Sequence, residues 1–290
     1  MILVTGATGT SGHAAVQALV EAGEPVRAMV RRAGQAERFP AGVEVVVADM
    51  TDPATLSRAV AGVEQMLLIS PLEHALAEMQ GRMAEAARAG GVRRIVKIST
   101  EVADPASADL IGRWHGAAER AVEATGLAWF HVRPCNFMQN LLTFARGIGR
   151  DGSFWAPMGG ARMSLIDARD VGAAAAAVLR DRGLASGHAV VTGLDRPTYG
   201  EFADLVAQTI GRPVRYEAVA ADEARRRFVE AGMPAWKADA LVYMYAYLQD
   251  PATTGLTDRF QALTGRTPRR LSEFVVEHGQ AFAEGAAPRH

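Results

Sequence analysis

Three features of this 290-residue chain predict a doubly wound, Rossmann-type α/β fold with a parallel sheet. Short apolar runs alternate with helical stretches through the first two-thirds of the sequence. Most of those runs are apolar on both faces, as strands covered by helices must be. A glycine-rich turn joins the first run to the first helix. After about residue 195 the pattern becomes mostly helical, which predicts a smaller, mainly helical C-terminal lobe.

The expected strands are MILVT (1–5), PVRAMV (25–30), VEVVVA (43–48), QMLLIS (65–70), RRIVKIS (93–99) and LAWFHVR (127–133). Helices are expected over 11–22, 53–61, 73–90 and 109–125, stopped by Gly23, Gly62, Gly90 and Gly126. The glycine-rich stretch 149–171 holds one strand-like piece near 162–166. A helix over 170–181 and a strand, HAVVTG (188–193), follow. Further helices are expected over 199–210, 221–231, 235–249 and 271–283, with EGAAPRH at the end frayed. The domain reading is a nucleotide-binding domain over 1–155, to which 166–195 returns, and a second lobe from 156–165 and 196–290.

Composition narrows the function classes. Lys+Arg total 31 and Asp+Glu 32, a net charge of -1, which speaks against a general nucleic-acid binder. The basic run RRR at 225–227 reads as a solvated helix face. One cysteine, Cys135, allows no intramolecular disulfide and no cysteine zinc cluster; it reads as a buried filler or a reactive thiol. No run approaches the roughly 20 apolar residues of a membrane span, and MILV has no basic region before it. A cytoplasmic protein with no metal and no membrane partner is expected, either monomer or homodimer.

The glycine turn carries the first chemical signal. TGATGTSG (5–12) lies between a strand and a helix, with Gly6, Gly9 and Gly12 at spacings of three. In a dinucleotide site one glycine permits the tight turn, another the approach of a pyrophosphate, and a third close helix–strand packing. The helix N-terminus then offers free N–H groups to the phosphates. Gly6, Thr8, Gly9, Thr10, Ser11 and Gly12 are therefore expected at the cofactor. The second strand ends in Arg31 and Arg32 rather than an acidic residue, and guanidinium groups suit a 2′-phosphate; NADP (NADPH) is the expected cofactor. Asp49 is read either as a partner of the adenine amino group or as a cap for the turn at 49–52. Met50, Ile69, Ser70, Pro71 and Ser99, at or just beyond strand ends, complete the expected contacts.

TGATGTSG, RAMVRR, VVVADMTDPATL, LLISP, GGVRRIVKIST and GRWHGAAERAVEATGLAWFHVRPCNFMQNLL (112–142) together resemble the NmrA-like branch of the atypical short-chain dehydrogenases/reductases. The likeness covers most of the chain, and 112–142 is its more specific part. It implies an NADPH-dependent oxidoreductase passing hydride to a quinone-like or dye-like small-molecule acceptor. The alternative it implies is a non-catalytic, NADP-binding redox sensor. The wider superfamily uses a Tyr-x-x-x-Lys pair and a serine on the fifth strand. This chain has no Tyr-x-x-x-Lys, which also weakens a sugar-epimerase reading.

In the matching helix stand His115 and Glu119, one turn apart on one face, and Ser99 or Thr100 holds the serine-like place. His115 is a candidate proton donor held protonated by Glu119; the alternative is a structural helix pair. Lys97 ends either near the cofactor or with its ammonium at solvent. Lys97, Asn136, Phe137, Met138, Asn140 and Trp155 are candidates for a substrate pocket, with Phe137 and Met138 alternatively core. Trp155 and Trp114 carry the same two readings, and Tyr243 and Tyr247 read as core or dimer contact.

Overall fold

The structure is a computed structural model that describes residues 1–250 and 255–286. Most of the tail expected to fray lies outside them. In chain order the first elements are β1 (Ile2–Val4), α1 (Thr10–Glu21), β2 (Val26–Val30), β3 (Glu44–Val47), α2 (Pro53–Val60), β4 (Gln65–Leu68) and α3 (Leu76–Ala89). Then come β5 (Arg94–Ile98), α4 (Leu110–Glu123), β6 (Ala128–Pro134), β7 (Asn136–Phe137), α5 (Ala145–Asp151), β8 (Ser153–Ala156) and β9 (Leu165–Ile166). The remainder is α6 (Ala168–Arg180), β10 (Gly187–Val191), α7 (Tyr199–Ile210), β11 (Arg215–Ala218), α8 (Ala221–Glu230), α9 (Ala235–Gln249), α10 (Arg259–Thr264), α11 (Leu271–Glu277) and α12 (Gly279–Glu284).

These elements form two compact units. One contains Met1–Pro134, Ala168–Val191 and Arg259–Arg266; the other contains Cys135–Asp167, Thr192–Asp258 and Thr267–His290. The first unit is the Rossmann-type α/β fold, built on a seven-stranded sheet in the order β10-β6-β5-β4-β1-β2-β3. Every pairing in it is parallel, with Ile2 opposite both Val26 and Gln65, and Lys97 opposite His131. The chain runs β1 to β3 outward on one side, then returns to β4 on the other. That reversal puts a switch point between β1 and β4, where open α/β sheets bind ligands.

Local chemistry explains the element starts. Asp52 caps α2 by accepting from the Ala54 N–H at 3.1 Å, and Pro53 occupies the first helical position, where a missing N–H costs nothing. Asp109 caps α4 through the Gly112 N–H at 2.6 Å. One face of the sheet buries Leu3, Met29, Met66, Leu68 and Ile95 against Met83, Ala84 and Ala87 of α3. Toward α6, Arg94 of β5 is buried and closes the end of that helix. Its Nη1 donates to the carbonyls of Val178 (3.1 Å) and Asp181 (2.7 Å), and its Nη2 to that of Leu184 (3.3 Å). Final-turn carbonyls have no intrahelical donors, so a buried guanidinium satisfies several at once.

The second unit is smaller and mostly helical, with two short parallel pairs, β7–β9 and β8–β11. Phe154 centres its core, with Phe144, Tyr199, Phe202 and Tyr216 rings 4.7–5.7 Å away. Here the sequence reading needs amendment. The helix expected over 271–283 is two, broken at His278 (φ -101°, ψ 13°). The strand β11 and the helix α10 were not anticipated. β11 reads RYEA, with no apolar run, and its order comes from pairing with β8 and from the Tyr216 hydroxyl donating to the Ala156 carbonyl at 2.9 Å.

Replacing Arg94 tests the helix-end account. Arg94→Met keeps the buried length but removes the guanidinium donors from the carbonyls of Val178, Asp181 and Leu184, and should destabilise by about 2 kcal/mol. A melting temperature equal to that of the unaltered protein would refute this role.

Candidate active site

The switch point is opened by glycine. Gly6 follows β1 with φ +57°, a backbone state that side chains resist, and a Cβ there would lie 2.9 Å from Ile69. A Cβ at position 12 would lie 2.3 Å from the Gly6 carbonyl oxygen, so only glycine lets α1 start this close to the turn. Gly9 caps α1 with no side-chain hydrogen bond, which leaves the first-turn N–H groups for a ligand. On the other side Thr5 Oγ1 donates to the Ile69 carbonyl and accepts from its N–H, both at 2.7 Å. This exchange fixes the end of β4 against the end of β1. Gln80 then holds the Ser70 hydroxyl at 2.8 Å.

Between these ends lies a cavity of about 440 Å³. Of the residues expected at the cofactor, Gly6, Thr8, Gly9, Arg31, Asp49, Met50, Ile69, Ser70 and Pro71 line it. Thr10, Ser11 and Gly12 form the first turn of α1 instead. Arg32 starts the 3-10 turn Ala33–Arg38, its N–H donating to Gln35 Oε1 at 3.2 Å, and it does not line the cavity. Gln35, Thr51 and Glu73 line it without having been singled out; each stands close to a residue that was. Asp49 accepts at Oδ1 from the N–H (2.8 Å) and hydroxyl (2.7 Å) of Thr51, and these bonds hold its carboxyl below the usual range. One oxygen therefore serves the turn and Oδ2 stays available. The cap of α2 is Asp52.

A second cluster is buried where β5, α4 and β6 meet, within the same unit. Lys97 is fully buried, so its ammonium does not reach solvent. Its Nζ donates to His115 Nδ1 at 2.9 Å and to the Ile98 carbonyl at 3.3 Å. Glu119 does not hold His115. Both its oxygens accept from Arg133, at 3.0 Å from Nε and 2.5 Å from Nη2. The helical spacing of His115 and Glu119 permits a pair, but the planar guanidinium fork, permanently charged, matches the carboxylate better. Ser99 is buried at the end of β5.

The charges follow from this arrangement. Burial would raise the Glu119 carboxyl, but hydrogen bonds led by those from Arg133 overcome it and hold it below its ordinary value. Burial, aided by Lys97, pushes His115 well below 6.5, so its imidazole is neutral at neutral pH. Burial brings Lys97 down to about 7, with Glu119 raising and Arg133 lowering it. His131, whose Nε2 lies 3.3 Å from Glu123 Oε1, is pushed by burial to about 4. Glu119, Glu123 and His131 stand within 4.8 Å of one another, but Arg133 already occupies both oxygens of Glu119.

The substrate-pocket candidates other than Lys97 belong to the second unit. Asn140 Nδ2 donates to Asn136 Oδ1 at 2.6 Å, and Phe137 is half-buried. Met138 is fully buried in that unit's core, the second of its two readings. Trp155 packs on Phe228 at 5.0 Å with the Arg227 guanidinium 5.2 Å over its ring. Cys135 is buried. Tyr243 is exposed and Tyr247 packs on the core. No helix among the described residues is long and apolar enough to cross a membrane.

Comparison with known proteins gives concordant results. Residues 1–275 match the model of the NmrA-like family. An NAD(P)H azoreductase of Xenophilus azovorans is 38% identical over 288 residues, covering 99% of this chain and 100% of that one. A (4-alkanoyl-5-oxo-2,5-dihydrofuran-3-yl)methyl phosphate reductase of Streptomyces griseus is 37% identical, covering 98% and 99%. The crystal structure of an NADPH-dependent quinone oxidoreductase from Escherichia coli, complexed with NADPH, superposes with a TM-score of 0.88 at 27% identity, covering 96% of this chain and 99% of that one.

Glu119→Gln should destabilise by about 3 kcal/mol at neutral pH, since it leaves the Arg133 charge poorly compensated. Because folding lowers the Glu119 pKa, its stabilisation is complete above the ordinary value of 4.5 and is lost as pH falls through the lower folded value. Melting curves of the two proteins should therefore converge in acid; a constant gap down to strongly acid pH would contradict the assignment.

Proposed function

We propose that this chain, which belongs to the NmrA-like family, delivers hydride from NADPH to a quinone-like or dye-like acceptor. The protein is an NAD(P)H-dependent reductase. The observation that carries the reading is the cavity at the switch point. It combines an uncapped helix start, a turn in which an added Cβ at Gly6 would meet Ile69, and the Arg31 guanidinium, which has no hydrogen-bond or ion-pair partner among the described residues and lies in the field of Asp49.

These residues suit a phosphorylated dinucleotide. The N–H groups of Thr10, Ser11 and Gly12 would face the pyrophosphate. Arg31, with Arg32 beside it, would take the 2′-phosphate, and Asp49 Oδ2 would accept from the adenine amino group. NADPH, when bound, supplies the hydride; the protein binds, orients and provides a proton. His115 is the donor in this reading. Its neutral ring presents Nε2–H, because Nδ1 accepts from Lys97.

NADPH consumption, followed by absorbance against quinones, azo dyes and ketones, tests the reading; turnover confined to ketones would defeat it. Arg31→Glu should weaken NADPH binding at least tenfold, about 1.4 kcal/mol, with NADH less affected. Equal affinities of the unaltered protein for NADH and NADPH would remove Arg31 from cofactor choice. His115→Phe should lower kcat by roughly 100-fold with NADPH affinity nearly constant. An unchanged kcat would assign the proton to solvent.

A further inference from the structure

Lys97 does not line the cavity at the switch point, yet its ammonium sits in a fully enclosed place. Among the described residues its Nζ has two partners, the Ile98 carbonyl and His115 Nδ1. An ammonium has protons and no lone pair, so at 2.9 Å Lys97 donates and Nδ1 accepts. A neutral ring that accepts at Nδ1 carries its own proton on Nε2. His115 is half-buried as a whole, and among the described residues its Nε2 has no hydrogen-bond partner and is not fully enclosed. The imidazole therefore spans from an enclosed ammonium to an open nitrogen.

We propose that Lys97 and His115 form a proton relay, in which the lysine recharges the histidine during the reduction step. The proposal rests on the reading of His115 as proton donor. As hydride reaches the acceptor, the Nε2–H bond breaks and its proton passes to the acceptor heteroatom. Nδ1 takes a proton from Nζ, leaving a neutral amine and a neutral ring protonated at Nδ1. After product leaves, a solvent proton adds at Nε2 and Nδ1 returns its proton to Lys97. The cycle consumes one NADPH, one acceptor and one proton. In this scheme Lys97 acts only through His115 and is a positioning residue.

The groups that set its charge lie on the packed elements. Burial dominates and brings Lys97 to about 7, Glu119 on α4 favours the ammonium, and Arg133 on β6 disfavours it. His131 on β6, pushed to about 4, stays neutral through the working range. Glu101, just beyond β5, is raised by burial to about 7 and titrates in the same window. The relay is loaded below that window and empty above it, so kcat should fall as pH rises through about 7.

The test measures kcat against pH at saturating NADPH, with a quinone that does not ionise in the range. Lys97→Met should lower kcat roughly tenfold or more and abolish the alkaline fall, with NADPH affinity unchanged, while Glu101→Gln should keep the fall. Nitrogen NMR of labelled histidine in the cofactor-free protein gives a readout independent of turnover. His115 should be protonated at Nε2 at neutral pH, with a second inflection near pH 7 as Lys97 titrates. In Lys97→Met the tautomers should mix and the histidine pKa should rise. An Nδ1–H tautomer, a missing inflection, or an unaltered pH profile in Lys97→Met overturns the relay. Should Lys97→Met fail to fold, the titration of the unaltered protein decides. If His115→Phe is impaired while Lys97→Met behaves as the unaltered protein, the donor reading stands and the relay falls; an unimpaired His115→Phe removes the donor reading itself.

Discussion

The backbone contact between Gly6 and Gly12 governs the Rossmann-type α/β unit of this protein. With no Cβ at position 12, the carbonyl of Gly6 tucks against the first turn of α1. That approach aims the helix start at the switch point between β1 and β4 and keeps it free of a side-chain cap. The Thr5–Ile69 exchange makes the other wall from the neighbouring strand. The cavity therefore follows from strand order and two backbone approaches, and the polar side chains Arg31 and Asp49 line it from the ends of the next strands outward. A cavity made this way is preformed, so little binding energy need go into ordering it.

A second constraint acts where β5, α4 and β6 meet. Three cationic or basic groups, Lys97, Arg133 and His131, are packed there against Glu119 and Glu123. Enclosed charge is tolerated only when paired. Arg133 and Glu119 meet that demand together through two parallel hydrogen bonds. Lys97 has no carboxylate at bonding distance and meets it differently, by donating to neutral acceptors while burial draws its pKa toward neutrality. The pairing of Glu119 with Arg133 is thus what frees His115 to pair with Lys97.

Much of this was legible in the sequence for definite reasons. The seven strands were visible because strands covered on both faces must be apolar along their whole length, and the glycine turn because its backbone demands are local. Arg31 and Asp49 were found by their distance from strand ends. The partner of Glu119 was not found, because Arg133 lies on another element and only the packing of β6 on α4 brings it near. Helical spacing suggested His115 instead, a short-range signal that a long-range one displaced. Lys97 was singled out, but nothing local distinguishes an enclosed ammonium from one reaching solvent. β11 escaped notice because its residues are polar and its order comes from Phe154 and the neighbouring strand.

The chemistry of His115, the proposed donor, matches the class of acceptor. A neutral imidazole is a poor acid and cannot activate a carbonyl by protonating it before hydride arrives. It serves an acceptor that takes hydride readily without being protonated first, as a quinone or an azo bond does. A lysine behind the ring changes the acid strength without changing the ring's charge. In the proposed relay the proton given at Nε2 is replaced at Nδ1 within the same step, so the acidity that counts is that of an ammonium near 7 rather than of an N–H bond in a neutral ring. No positive charge accumulates on the histidine, which burial would oppose. A pair that donates near neutrality while staying uncharged at the reacting nitrogen suits hydride delivery to electron-poor acceptors, and it does so without the tyrosine–lysine pair that ketone reduction in the wider superfamily employs.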